Sequence, residues 1–166
     1  VLHNDPAALR RRIEERARCH DAWKDVTILC KFWNKRQPRV TCADGSNNAP
    51  LTSVFIEAAL LELPPPLPER RQDALLMGLE LLRSRLRDWE GDVPEAWTGR
   101  SVAAYLREDD IRTEAAERAL DRAIAALKHG IDAGPDAELR ALARVFRLSA
   151  AMLARVTSFG FDPDDP

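Results

Sequence analysis

The chain has only three cysteines, Cys19, Cys30 and Cys42, all in its first quarter. An odd and sparse set does not make the disulfide framework of a small secreted domain; it reads as reduced thiols in a cytoplasmic protein. Glycine is scarce too. Its seven residues are scattered as stops between apolar runs and leave no glycine-rich loop to cradle a phosphate. The three histidines, His3, His20 and His129, lie far apart, and none falls in an H-x-x-x-H or H-E-x-x-H frame. Apolar runs are short, such as Ala58-Ala59-Leu60-Leu61, against the ~20 residues that cross a bilayer. No membrane association is expected. There is no initiating methionine and no signal-peptide core, so Val1 suggests a domain excised or processed from a longer protein.

What is present suits a globular domain. The 166 residues are 45% hydrophobic and 31% charged, a balance too apolar for a disordered chain and long enough for one domain over residues 1–166. The net charge is −2, but it is unevenly spread. Residues 1–39 hold ten Lys/Arg against five Asp/Glu, while residues 40–166 hold fifteen against twenty-two. The chain ends Phe161-Asp162-Pro163-Asp164-Asp165-Pro166. This asymmetry hints at a charged partner.

Periodicity is helical almost throughout. Asp5 and Pro6 suit a helix start, and the following helix is expected to reach about residue 34. Its later seam is Cys19, Trp23, Val26, Cys30 and Trp33; an earlier stripe of Leu9, Ile13 and Ala17 is displaced around the axis, which suggests either a wrapped helix or a break near Arg18. The β-branched and aromatic run 26–32 offers a strand as the alternative. From residue 36 to 50 the period fails, and Pro38, Asp44-Gly45, Ser46-Asn47-Asn48 and Pro50 read as turns, with a short hairpin through residues 40–42. Ser53 or Thr52 then caps a short helix that must end before the prolines of 64–68. Residues 68–88 form the clearest helix, with Leu75, Leu79, Leu82, Leu86 and Trp89 on one seam and Gly91 and Pro94 as stops. A short helix is expected over residues 101–107. Thr113 caps the next, with Ala116, Leu120, Ile124, Leu127 and Ile131 inward and its end near His129-Gly130. Gly134-Pro135 starts a last helix to about residue 158, seamed by Leu139, Leu142, Phe146, Ser149, Leu153 and Val156 and closed by Gly160. The short link makes these two antiparallel neighbours, with Ala119, Ala123, Ala126, Ala143 and Ala150 allowing close approach. The fold class is therefore all-α: one bundle of five or six helices, with a hairpin or irregular loop around residues 36–50.

Candidate chemistry concentrates in the first third. Cys19, His20, Cys30 and Cys42 would supply four zinc-type ligands, but Cys19 and Cys30 lie eleven residues apart on one expected helix, about 16 Å along its axis. They read as small core hydrophobes, and no metal or cofactor is expected. Cys42 in its turn-rich loop is the most exposed-looking thiol, and with Asp44 it is the candidate catalytic pair if the chain is an enzyme. A helical family of bacterial ubiquitin ligases uses a Cys-x-Asp loop nucleophile; Cys42-Ala43-Asp44 matches it in two residues, and the chain is not assigned to that family. The basic residues Arg11, Arg12, Lys31, Lys35, Arg36 and Arg39, interleaved with Phe32 and Trp33, are the candidate contacts to nucleic acid or an acidic partner. Trp23 and Trp33 fit the apolar seam instead of a stacking role. With good core seams and no catalytic constellation, the leading expectation is a non-enzymatic, adaptor-like protein-interaction or scaffold module. The alternatives are a nucleic-acid-associated accessory protein and a thiol-dependent transferase, of the effector kind, using Cys42.

Overall fold

Six helices and one two-stranded ladder follow one another in the computed structural model, which describes residues 6–19, 21–87, 109–149 and 151–152. They are α1 (Pro6–Cys19), α2 (Asp21–Arg36), β1 (Val40–Thr41), β2 (Asn47–Asn48), α3 (Ser53–Leu60), α4 (Arg71–Arg87), α5 (Asp110–Asp132) and α6 (Pro135–Val145). The all-α class and the helix number match the sequence expectation. The two displaced stripes near the N-terminus fall on α1 and α2, and His20 between them lies outside the described residues. The run 26–32 is helix and not strand. Val26 and Cys30 lie one turn apart in the core, and the Thr27 hydroxyl donates to the Trp23 carbonyl at 2.9 Å, an arrangement only a helix provides.

The core is layered on α2. Trp23, Val26, Cys30 and Trp33 are buried against Phe55, Ile56, Ala59 and Leu60 of α3 and Leu75, Leu79 and Leu82 of α4. On its other side α4 packs on α5 through Leu86, Ala116, Leu120 and Leu127, and α6 folds back along α5. Thr52 caps α3, its hydroxyl accepting from the Phe55 amide at 3.1 Å. The helix over α4 begins three residues later than expected, its first helical bond running from the Ala74 amide to the Arg70 carbonyl.

Three expectations on the C-terminal pair need correction. Asp109, not Thr113, caps α5: its carboxylate accepts from the Arg112 amide at 3.1 Å, and Thr113 lies within the first turn. The helix also runs past Gly130 to Asp132, because Gly130 is a packing glycine. A Cβ placed there would lie 2.5 Å from the Ala141 Cβ and 3.1 Å from the Ala137 carbonyl oxygen. That glycine, more than the expected alanines, sets the closeness of α5 and α6. The last helix stops at Val145 instead of running on to residue 158. The Leu148 amide bonds the Ala143 carbonyl at 2.8 Å and the Arg147 amide bonds the Arg144 carbonyl at 3.1 Å, with Arg147 left-handed at φ 51°. This is a Schellman turn closed by arginine in place of the usual glycine. The buried face of α6 is accordingly Glu138, Ala141 and Val145, with Leu139 and Leu142 half-buried. The Arg70 guanidinium holds Glu138 at 2.8 and 3.0 Å. Residues 1–5, the expected helix over 101–107, the stops at Gly91 and Pro94, and residues 153–166 lie outside the described residues.

Gly130→Ala should therefore destabilise the fold. Overpacking against backbone costs about 1–3 kcal/mol, while the better helix propensity of alanine returns only about 1 kcal/mol. A lower urea midpoint with an unchanged slope is the expected result.

Candidate functional site

The irregular segment after α2 is built from its turn residues. Val40 pairs with Asn48 and Thr41 with Asn47, so the expected hairpin is present. The turn between the strands closes with the Cys42 amide on the Ser46 carbonyl at 2.8 Å and the Gly45 amide on the Cys42 carbonyl at 2.9 Å. Gly45 takes φ 79°, where a side chain would be strained. The Asp44 carboxylate accepts from the Ser46 amide at 2.8 Å, and these Ser46 hydrogen bonds hold its carboxyl below the ordinary range.

This hairpin places Cys42 differently from the sequence expectation. The thiol is buried, 3.7 Å from the Val40 carbonyl oxygen and from the Asn48 amide nitrogen. The carboxylate facing it is Asp109 at the start of α5, and Asp44 is engaged with Ser46 instead. Asp109 also accepts from the Ala43 amide at 3.1 Å, so one carboxylate ties the hairpin tip to the α5 N-terminus. The Arg112 amide first, then the Ala43 amide, the Cys42 thiol and the Arg112 charge hold the Asp109 carboxyl below its usual range, against partial burial. The groups described around the Cys42 sulfur are thus a carbonyl, a side-chain amide and a carboxylate. Cys30 is fully buried, and burial pushes its thiol up. The side chain of Cys19 and the whole of His20 lie outside the described residues. Among the described residues, no group of three His, Cys, Asp or Glu is arranged to hold a metal ion, and no helix is long and apolar enough to cross a membrane.

The six basic candidates are dispersed. Arg11 and Arg12 lie exposed on α1, and Lys35 is exposed on α2. Lys31 is ion-paired with Glu57 of α3. Arg36 donates to the Phe146 and Arg147 carbonyls at 3.1 and 2.9 Å, clamping the arginine turn that ends α6. Gln37 adds a bond to the Val145 carbonyl at 3.3 Å. Arg39 lines a hollow.

That hollow belongs to a pair of adjoining cavities. A cavity of about 490 Å³ lies between the end of α2, α5 and α6, walled by Trp33, Arg122, Arg144 and Arg147 over a floor of Ala119 and Ala123. A second, of about 370 Å³, lies between the β1 segment and the start of α5, lined by Arg39, Arg118 and Ile111. They share Pro38, Ala119 and Arg122, and so form one groove. Five arginines line it, and among the described residues no Asp or Glu does. The charge is sorted by helix face. Two acids of α5, Glu117 and Asp121, look toward α4, where Arg83 meets Asp121 at 2.6 Å and Arg87 meets Asp121 at 2.9 Å and Glu117 at 3.5 Å. Arg122, on the opposite face, has no such partner among the described residues.

Sequence reasoning missed this site because the net positive charge of residues 1–39 drew attention there. Arg118 and Arg122 lie four apart, Arg144 and Arg147 three apart, and that spacing on adjacent helices was the signal available. No family model, curated protein or solved structure matches the chain.

Asp109→Ala should lower the thermal midpoint at neutral pH. A carboxyl held below its ordinary ~3.9 stabilises the fold at pH values above that figure, and the contribution fades as pH falls through the lowered value. The gap in midpoint between the wild-type and variant proteins should therefore close between about pH 5 and pH 2. A gap that stays constant over that interval would refute the role given to this carboxylate.

Proposed function

We propose that the chain is a non-catalytic protein-interaction module whose partner docks in the arginine-lined groove. The observation that carries this reading is a concave, apolar-floored surface with five arginines and, among the described residues, no acidic side chain in its walls. Interfaces combine an apolar centre with an arginine-rich margin in this way, and arginine is enriched at them over lysine. The walls are also rigid: Arg36 and Gln37 fix the end of α6 to the end of α2, so the groove exists before a partner arrives. Free thiols at Cys30 and Cys42 fit a reducing compartment such as the cytoplasm.

The test is affinity purification from the source organism at low and moderate salt, comparing the wild-type chain with an Arg122→Glu/Arg144→Glu variant. Both arginines are exposed, so the variant should fold. The expected result is a set of proteins, identified by mass spectrometry, that falls roughly tenfold or more in the variant and survives nuclease treatment. Equal recovery by the two chains would overturn the groove as the interface, and loss on nuclease treatment would favour a nucleic-acid accessory instead.

A further inference from the structure

We propose that the occupant of the groove is an acidic amphipathic helix of about four turns, lying along α5; this deepens the interaction reading above and rests on it. The groove follows one face of α5. Ile111, Ala115, Ala119, Ala123 and Ala126 recur every three or four residues along its floor, which is about 22 Å of helix at ~1.5 Å per residue. Four of the five are alanine, so a second helix axis can approach at the near end of the usual ~8–10 Å. Ile111, at one end, is 56% exposed, a large apolar side chain that a docked apolar stripe would cover.

Charge selects the sign of the occupant. Arg39 and Arg118 stand at one end of the groove and Arg144 and Arg147 at the other, with Arg122 common to both hollows. Arg118 meets Glu114 of its own helix at 3.1 Å; among the described residues, no acid lines the groove to neutralise the rest. A helix with leucine-like residues at i, i+3, i+4 and i+7 and carboxylates on both flanks satisfies floor and walls together. A small anion would use two of the guanidiniums and none of the apolar floor. A nucleic-acid strand would match the charge but needs aromatic faces to stack on. Trp33 is fully buried, and Phe32, 45% exposed, packs its ring on Phe146 with centroids 5.5 Å apart and is not among the residues that line the groove. The alkyl floor favours a peptide.

The experiment measures fluorescence anisotropy of three labelled probes on the full chain, at about 50 mM and about 200 mM salt. The probes are a ~16-residue Glu/Leu peptide with leucine at helical spacing, a scrambled peptide of the same composition, and a single-stranded oligo(dT) of similar charge. The patterned peptide should bind at least tenfold more tightly than the scrambled one. Its amide shift changes should fall on Ala115, Ala119, Ala123 and Ala126. Arg122→Ala/Arg144→Ala should weaken it roughly tenfold or more, and Ala115→Trp, at a half-exposed floor position, should block it without removing charge. Equal binding of the scrambled peptide, tighter arginine-dependent binding of oligo(dT), or no binding of the patterned peptide would overturn the proposal. If the peptides fail while protein recovery still depends on Arg122 and Arg144, the helix assignment falls and the interaction reading stands. If that dependence is absent as well, both fall.

Discussion

The arrangement depends on how a long irregular segment is bound to a helical core with few strands to satisfy it. Asn34, buried at the end of α2, exchanges two hydrogen bonds with the backbone of Leu51: its amide nitrogen donates to the carbonyl at 2.7 Å, and its oxygen accepts from the amide at 3.0 Å. Arg112, 4% exposed, donates to the Pro50 and Ala49 carbonyls at 3.1 and 2.9 Å. Three consecutive backbone positions are thereby paired inside the protein by side chains from two helices. An unpaired buried carbonyl or amide costs about 1–3 kcal/mol, so these two side chains decide where the segment after β2 can lie. With that segment fixed, the hairpin reaches Asp109, α3 starts at Thr52, and β1 stands beside α5 as one wall of the groove.

Much of this was readable from spacing. The seams on α2, α4 and α5 follow the helical period, and their residues fill the core in that order. Proline at residue 135, the prolines of 64–68 and the turn residues of 44–48 placed boundaries correctly, because each acts through its own backbone. Two of the misplacements share one cause. Gly130 signals a helix end by propensity but serves as a contact with α6, and the end of α6 is made by Arg147 in a conformation that its side chain disfavours. In both cases a tertiary neighbour overrides the local signal.

The same logic divides the candidate residues. Cys42 looked exposed because its neighbours in sequence are turn formers, yet the turn folds its sulfur inward and sets Asp109, sixty-seven residues later, beside it. Lys31 and Arg36 lie in the basic stretch of the sequence but are spent on Glu57 and on the end of α6. Four of the five groove arginines sit on or just after α5 and α6, in the net-negative part of the chain. Local charge counts cannot separate an arginine that holds the fold from one that faces outward; only the partner of each does.

The Arg36 fork takes two consecutive carbonyls, at Phe146 and Arg147, across a sequence separation of more than a hundred residues. A planar guanidinium can do this where a single ammonium cannot span both. The spacing of the groove walls is thus gauged by the length of one side chain, like the fixed jaw of a caliper. The conformational entropy of that wall is lost when the chain folds and is not charged again when something enters it, so differences in affinity among occupants should follow their own rigidity more than the protein's.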